Sequence, residues 1–262
     1  MSNIWHYGLM AERWGEFLHE TPELEYFQRA IERYGEPVLD VACGAGRLLL
    51  PLHRAGIDVE GTDISADMLA QCRRRAEDEE VEVQLYSQPM QALDLPRRYR
   101  TIYICGSFGL AGSRADDLET LRRCHAHLRP GGALLLNIQA EYNSEEAWNL
   151  WLPEGRNSLP QSWPEDGQPR TASDGSQHSA FFRKIEVDPL EQTYTYQVRL
   201  EKHRDGERVV EEEYTLQGNM YLKNEVQLML QAAGFRDIKV TGDYSKEPAT
   251  ADHDELVFNA VR

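Results

Sequence analysis

Val38-Leu39-Asp40-Val41-Ala42-Cys43-Gly44-Ala45-Gly46-Arg47 runs directly into Leu48-Leu49-Leu50. The apolar opening after Pro37 reads as a short buried parallel strand. The small residues in the middle read as a tight turn, and the leucines as the start of a helix. A strand that turns sharply into a helix leaves backbone N–H groups pointing out of the turn. Glycine lets a ligand approach that backbone closely. The next run, Ile57-Asp58-Val59-Glu60-Gly61-Thr62-Asp63, reads as a second strand ending in an acid. Asp63 follows Asp40 at about the 20-residue spacing of a ribose-binding carboxylate in a nucleotide-binding βαβ unit. The loop is not a plain G-x-G-x-x-G, because Ala42 stands at the first glycine and Leu49 at the last. Asp63-Ile64-Ser65-Ala66-Asp67-Met68-Leu69 then supplies an acid, a helix cap and a methionine.

The segment Val38–Leu69 resembles motif I and its sequel in class I S-adenosylmethionine-dependent methyltransferases. Leu128-Arg129-Pro130-Gly131-Gly132 is similar to the turn before that family's fifth strand. Ala233-Gly234-Phe235 and the two strand-like runs after it resemble the family's C-terminal end. The stretch from about Asn143 to Asn219 lies outside the resemblance. The implied fold is α/β: a Rossmann-like, doubly wound, mostly parallel seven-stranded sheet with a C-terminal antiparallel strand and an inserted antiparallel β-meander cap.

The resemblance implies S-adenosylmethionine as cofactor. Its site would comprise Asp40, Ala42, Cys43, Gly44 and Gly46 from the loop, with Asp63, Ile64 and Met68 from the second strand and its helix. Many family members place an aspartate after the third strand, facing the adenine. Here Pro89 stands there, which leaves Gln88 or the backbone of Met90 for that contact. Cys105 and Ser107 close the fourth strand, where doubly wound sheets bind their ligands. An N-terminal helical lid, residues 1–34, would bring Tyr7 and Trp14 toward the sulfonium, a cation that aromatic faces attract.

Composition narrows the partners. The chain has 262 residues, is 41% hydrophobic and carries a formal net charge of −16. That charge argues against a nucleic-acid surface, which needs clustered lysine and arginine. Cys43, Cys72, Cys105 and Cys124 form no C-x-x-C pair and read as reduced thiols of a cytoplasmic protein. No signal-peptide pattern or membrane-length apolar run is expected. Cys124, His125 and His127 share one helical stretch, but a structural zinc needs four converging ligands, so no metal is expected.

The rest of the chain is read in order. Val81–Tyr86 and Thr101–Cys105 read as the third and fourth strands, and Ala133–Ile138 as the fifth. Ser113-Arg114-Ala115-Asp116 reads as a capping box opening a helix to Leu128, with Pro130-Gly131-Gly132 ending it. Pro160–Ser176 has loop composition. Ala180–Val187, Thr193–His203 and Arg208–Leu216 read as a meander. The expected organisation is a core of 1–142 and 220–262 with an inserted substrate cap of 143–219, whose surface leaves a homodimer open.

Methyl transfer needs alignment more than an array of catalytic side chains. Tyr7, Glu141 and His178 are candidate bases or substrate contacts, and His6 is another. Phe108, Tyr142 and Trp148 are candidate walls of an acceptor pocket. The expected acceptor is a small molecule methylated at nitrogen or oxygen. The competing readings are a non-catalytic S-adenosylmethionine-binding or scaffolding protein of the same fold, and a nicotinamide-dependent oxidoreductase. The altered glycine pattern opposes the latter.

Overall fold

The structure is a computed structural model and describes residues 6–140 and 144–262. Two helices come first, α1 (Gly8–Phe17) and α2 (Leu24–Tyr34). The core then alternates β1 (Val38–Val41), α3 (Leu49–Arg54), β2 (Val59–Asp63), α4 (Ala66–Asp78), β3 (Leu85–Ser87), β4 (Tyr99–Ile104), α5 (Arg114–His127) and β5 (Leu128–Gln139). Two short helices follow, α6 (Glu145–Asn149) and α7 (Pro153–Arg156). A run of strands comes next: β6 (Arg170–Thr171), β7 (Gln177–Asp188), β8 (Thr193–Arg204) and β9 (Glu207–Asn219). The chain closes with α8 (Lys223–Ala232), β10 (Arg236–Gly242) and β11 (Glu255–Val261).

The seven-stranded sheet has the order β10-β11-β5-β4-β1-β2-β3. β1, β2, β3, β4 and β5 pair in parallel, and β11 pairs antiparallel with both neighbours. The chain winds outward from β1 through β2 to β3, then restarts at β4 on β1's other side. That reversal opens a crevice beyond the carboxyl ends of β1 and β4. Alternation along β1 feeds two cores. Leu39 and Val41 join the cluster that includes Leu121, Leu230 and Phe258. Val38 joins Phe27, Leu52 and Leu69 on the opposite face. A central strand buried on both faces is what the apolar run before the glycine loop specified.

Local chemistry sets the element ends. Ser65 Oγ accepts a 3.1 Å hydrogen bond from Met68 N and caps α4. Ser113 and Asp116 form the full capping box of α5. That helix stops at His127, before Pro130-Gly131-Gly132, because Leu128 already pairs with Tyr99. The Pro-Gly-Gly turn is therefore an irregularity within β5 rather than the helix terminator. The third strand is shorter than its alternating sequence, since its ladder with β2 runs only from Leu85 to Ser87.

The four-stranded antiparallel sheet has the order β6-β7-β8-β9. β6 falls in the stretch whose composition reads as loop, and consists of Arg170 and Thr171 alone. Helix α1 is wedged between this sheet and the core. Leu9 and Met10 pack on Ala180, Val198, Leu200 and Leu216. Ala11 packs on Ala45 and Met68 of the core. Helices leave their first N–H groups without partners inside the helix. Here other elements supply acceptors: Asp67 takes Gly8 N at 2.8 Å, Glu212 takes Leu9 N at 2.9 Å, and Tyr214 Oη takes Met10 N at 3.1 Å. No helix of the described residues is long and apolar enough to cross a membrane.

Candidate active site

The crevice holds a cavity of about 180 Å³. The β1 turn contributes Asp40, Ala42, Cys43, Gly44 and Arg47 to its wall. Asp63, Ile64 and Met68 come from the end of β2 and from α4, and Met90, Cys105 and Ser107 from the next two loops. Trp14 and Leu18 close it from α1 and the residue after it. A smaller cavity shares Ala42, Asp63, Ile64 and Met90 and extends to Gln88, Pro89 and Ala111. A third, of about 330 Å³, shares His6, Trp14, Gly106 and Leu110 with the first. The three lie side by side across the carboxyl ends of the strands.

The backbone shapes the first cavity. Gly44 has φ +56°, and a Cβ there would lie 2.9 Å from Met68 Cε. Its N–H donates to Asp63 Oδ2 at 2.9 Å, while Ser65 N donates to Oδ1 at 2.8 Å. Both oxygens of Asp63 are thus fixed by the backbone, and the carboxylate sits where the first and the smaller cavity meet. Burial raises its pKa, opposed by those backbone bonds. Asp40 is buried more completely, and burial pushes its pKa up to about 8, against the nearby Tyr103 hydroxyl and the charge of Arg47. Arg47 pairs with the buried Glu23 at 2.5 Å and reaches Cys105 Sγ at 3.6 Å. Gly106 has φ +68°, and a Cβ added to it would meet nothing within 4 Å.

Several sequence expectations need correction. Tyr7 lines neither large cavity. Its ring is 45% exposed and packs edge-on against Tyr214 at 4.9 Å, because the Tyr7 carbonyl accepts the Tyr214 hydroxyl. His6 takes the expected place beside Trp14, at 4.5 Å between ring centroids. Gly46 does not line the cavity. It allows α4 to approach, since a Cβ there would lie 2.6 Å from Cys72 Sγ. The Gln88 amide is occupied by Asp94, donating to its carbonyl at 3.2 Å and accepting its N–H at 2.9 Å. His178 is buried under α1 against Phe17 and Ser176 and touches no cavity at the crevice. Trp148 stacks on Trp151 at 5.8 Å, away from the crevice. Glu141 and Tyr142 lie outside the described residues.

Other residues in the site carried weak sequence signals. Arg47 was visible as a cation directly after the glycine loop of an acidic chain. Asn137 and Glu255 come from strand interiors and starts that nothing local marks. Gly106 N donates to Asn137 Oδ1 at 2.7 Å, and Asn137 Nδ2 donates to Glu255 Oε2 at 2.7 Å. Cys124 is buried in the core, and His127 bonds Leu95 N at 3.0 Å. Among the described residues no group of three or more metal-ligating side chains converges.

This geometry suits an adenosyl cofactor with a cationic amino-acid tail. It combines a fixed carboxylate at the sheet's switch point, a second acid and an arginine deeper in, and an aromatic lid. Residues 38–132 match the family described as a methyltransferase domain. Residues 38–132 are thus a methyltransferase domain, and the fold is that of the class I S-adenosylmethionine-dependent methyltransferases, whose cofactor is S-adenosylmethionine. Among its relatives, a ubiquinone biosynthesis O-methyltransferase of Coxiella burnetii is 26% identical over 161 residues, 55% of this chain and 68% of that protein. The dTDP-3-amino-3,6-dideoxy-alpha-D-glucopyranose N,N-dimethyltransferase of Streptomyces fradiae is 32% identical over 150 residues, 56% of this chain and 53% of that protein. The chain therefore matches between about half and two thirds of these curated relatives' length. The solved structure of the sugar N-methyltransferase KedS8 from Streptoalloteichus sp. has a TM-score of 0.71 at 19% identity, covering 100% of this chain and 95% of that one.

Proposed function

We propose that the protein transfers the methyl group of S-adenosylmethionine to a nitrogen or oxygen of a small molecule held in the third cavity. The observation that carries this reading is the junction between two cavities. His6, Trp14, Gly106 and Leu110 border both of them. A cofactor in the first and an acceptor in the third would face each other across those four residues. The bound cofactor supplies an electrophilic methyl group.

The chain's own residues hold and orient. Asp63 would accept hydrogen bonds from ribose hydroxyls, and the pocket beyond Met90 would take the adenine. Asp40 and Arg47 would face the amino-acid end, with Trp14 over the sulfonium. Cys43, Ile64, Met68, Cys105 and Ser107 would complete the wall. Alignment of this kind is worth roughly 7–11 kcal/mol of barrier in well-oriented systems.

The acceptor side is closed by the four-stranded sheet, which supports reading residues 143–219 as a cap. Tyr194 of β8 and Asn219 of β9 line the third cavity together with Phe108 and Ile138 of the core. A concave cavity of about 330 Å³ suits a metabolite rather than a folded macromolecule. The relatives' names, an amino-sugar N,N-dimethyltransferase and an O-methyltransferase of ubiquinone biosynthesis, fall within this class.

Radiolabelled methyl transfer tests the reading. Small amines, phenols, sugars and carboxylates are screened beside tRNA and a protein lysate. Label in a small molecule is expected. Label confined to tRNA or protein would overturn the acceptor class, and tight cofactor binding with no transfer would favour a non-catalytic binder.

A further inference from the structure

The third cavity carries a marked electrostatic asymmetry. Among its described lining residues Glu255 is the only acid, and no lysine or arginine is present. His6, the one ionisable nitrogen among those described lining residues, is kept neutral by burial, which lowers its pKa to about 4. The remaining polar groups are amides and phenols, set among the apolar Phe108, Ile138 and Met220.

Glu255 is held in a defined position. Asn137 donates to its Oε2 at 2.7 Å, and the same Asn137 side chain accepts Gly106 N at 2.7 Å. One amide thus ties the carboxylate to the loop where the two cavities meet. Its backbone N–H is also fixed, donating to Asp243 Oδ1 at 2.8 Å. Among the described residues no cation pairs with Glu255, and Oε1 has no donor. The neighbouring charges that act on it most strongly are those of Asp243, Glu23 and Asp254, all acids. Among the described residues this half-buried carboxylate faces a cavity without a counterion. Leaving it unpaired costs energy that a cationic ligand would recover.

We propose that Glu255 is the acceptor-recognition residue of the third cavity, and that it selects a small amine, cationic in solution, over matched neutral and anionic molecules. This rests on the reading that the first cavity holds the cofactor and the third the acceptor. The apolar walls receive the carbon skeleton, and the carboxylate receives the nitrogen. Asn137 acts as a positioning residue, keeping Oε1 turned to the cavity and near the Gly106 junction. Phosphorylated or carboxylated acceptors would meet no cation here and would be repelled by Glu255.

Three probes of one size separate charge from shape: cyclohexylamine, cyclohexanol and cyclohexanecarboxylate. Their binding to the protein loaded with S-adenosylhomocysteine is followed by saturation-transfer NMR at neutral pH. The amine should bind at least about tenfold more tightly than the carboxylate, with the alcohol between. In Glu255→Gln, which keeps the Asn137 contact, that preference should fall to about twofold or less. Asp254→Asn removes a neighbouring charge outside the cavity and should leave the order intact. Equal or tighter binding of the carboxylate, or an unchanged preference in Glu255→Gln, would overturn the proposal, as would binding of none of the three. Calorimetry with S-adenosylhomocysteine on the same samples keeps the two readings apart. If that ligand does not bind, the cofactor reading fails. The probes, run on the ligand-free protein, still decide the role of Glu255.

Discussion

The first and third cavities share four bordering residues, yet they are built on different principles. The first is made by backbone. Gly44 N and Ser65 N grip Asp63, and positive-φ glycines at 44 and 106 keep side chains out of the way. Most of its residues come from four consecutive strand ends of one parallel sheet. The third is made by side chains from distant segments: Asn137 of β5, Tyr194 of β8, Asn219 of β9 and Glu255 of β11. Its floor depends on one buried acid. Asp117 accepts from Asn219 Nδ2 at 2.7 Å and from Tyr221 Oη at 2.6 Å. A backbone-built site can serve one ligand in many proteins. A site assembled from side chains on a separate sheet can change its ligand without disturbing the first.

The sharpest way to break this contrast is at the backbone. Gly44→Val would force a β-branched residue into φ +56° and press on Met68. We expect loss of about 2–4 kcal/mol of stability and no measurable S-adenosylhomocysteine binding. Urea unfolding and calorimetry read the two effects. Normal binding would show that the loop backbone does not shape the site.

Removing the anchor of the other cavity should do less to the cofactor. Asp117→Ala would leave Asn219 and Tyr221 without their acceptor and should cost about 2–3 kcal/mol in urea unfolding. Cofactor affinity should stay within about threefold, because these residues border only the third cavity. A cofactor affinity that collapsed with the anchor would show that the two sites are one mechanical unit.

The pH dependence of stability sharpens the contrast between the acids. Burial raises the pKa values of Asp40, Asp63, Asp117 and Glu255, that of Asp40 to about 8. Between the unfolded carboxylate range near pH 4 and the folded value, the native state holds more protons than the unfolded one. The buried histidines, whose pKa values burial lowers, oppose this below about pH 7 and are neutral in both states above it. Stability of the ligand-free protein should therefore fall as pH rises from about 7 to 8. Asp40→Asn should flatten the slope. A urea midpoint that rises from about pH 7 to 8 in the wild type would contradict it.

The smallest expected effect is at the lid. Tyr214→Phe removes the acceptor for Met10 N and the donor to the Tyr7 carbonyl. It should cost about 1 kcal/mol and speed amide exchange at the start of α1. Exchange there at the wild-type rate would mean that the four-stranded sheet does not hold α1.

The difference between the cavities also explains what could be read from residues alone. The alternating strands and helices, the reversal at β1 and the Asp63 acid are local patterns, and they name most of the first cavity. Gly46 packs against Cys72 because a positive-φ glycine serves packing as readily as ligand approach, and the residue pattern does not separate the two. Tyr7 and His6 are adjacent, and only the hydrogen bond from Tyr214 decides which ring turns inward. His178, a candidate base or substrate contact from the sequence, is turned under α1 by the pairing register of β7 with β8. Asn137 and Glu255 meet because β11 returns antiparallel beside β5, with Val257 opposite Asn137 and Glu255 opposite Gln139. No local signal carries that register.

The central claim is that the backbone-held acid at the end of β2 binds the cofactor. Calorimetric titration of S-adenosylhomocysteine into the wild type and Asp63→Ala tests it most directly, with urea unfolding as the check that the variant is folded. We predict saturable one-to-one binding in the wild type and a loss of about 2–3 kcal/mol in the folded variant, as expected when charge-assisted hydrogen bonds are removed. Unchanged affinity in Asp63→Ala, or no binding to the wild type, would contradict the account.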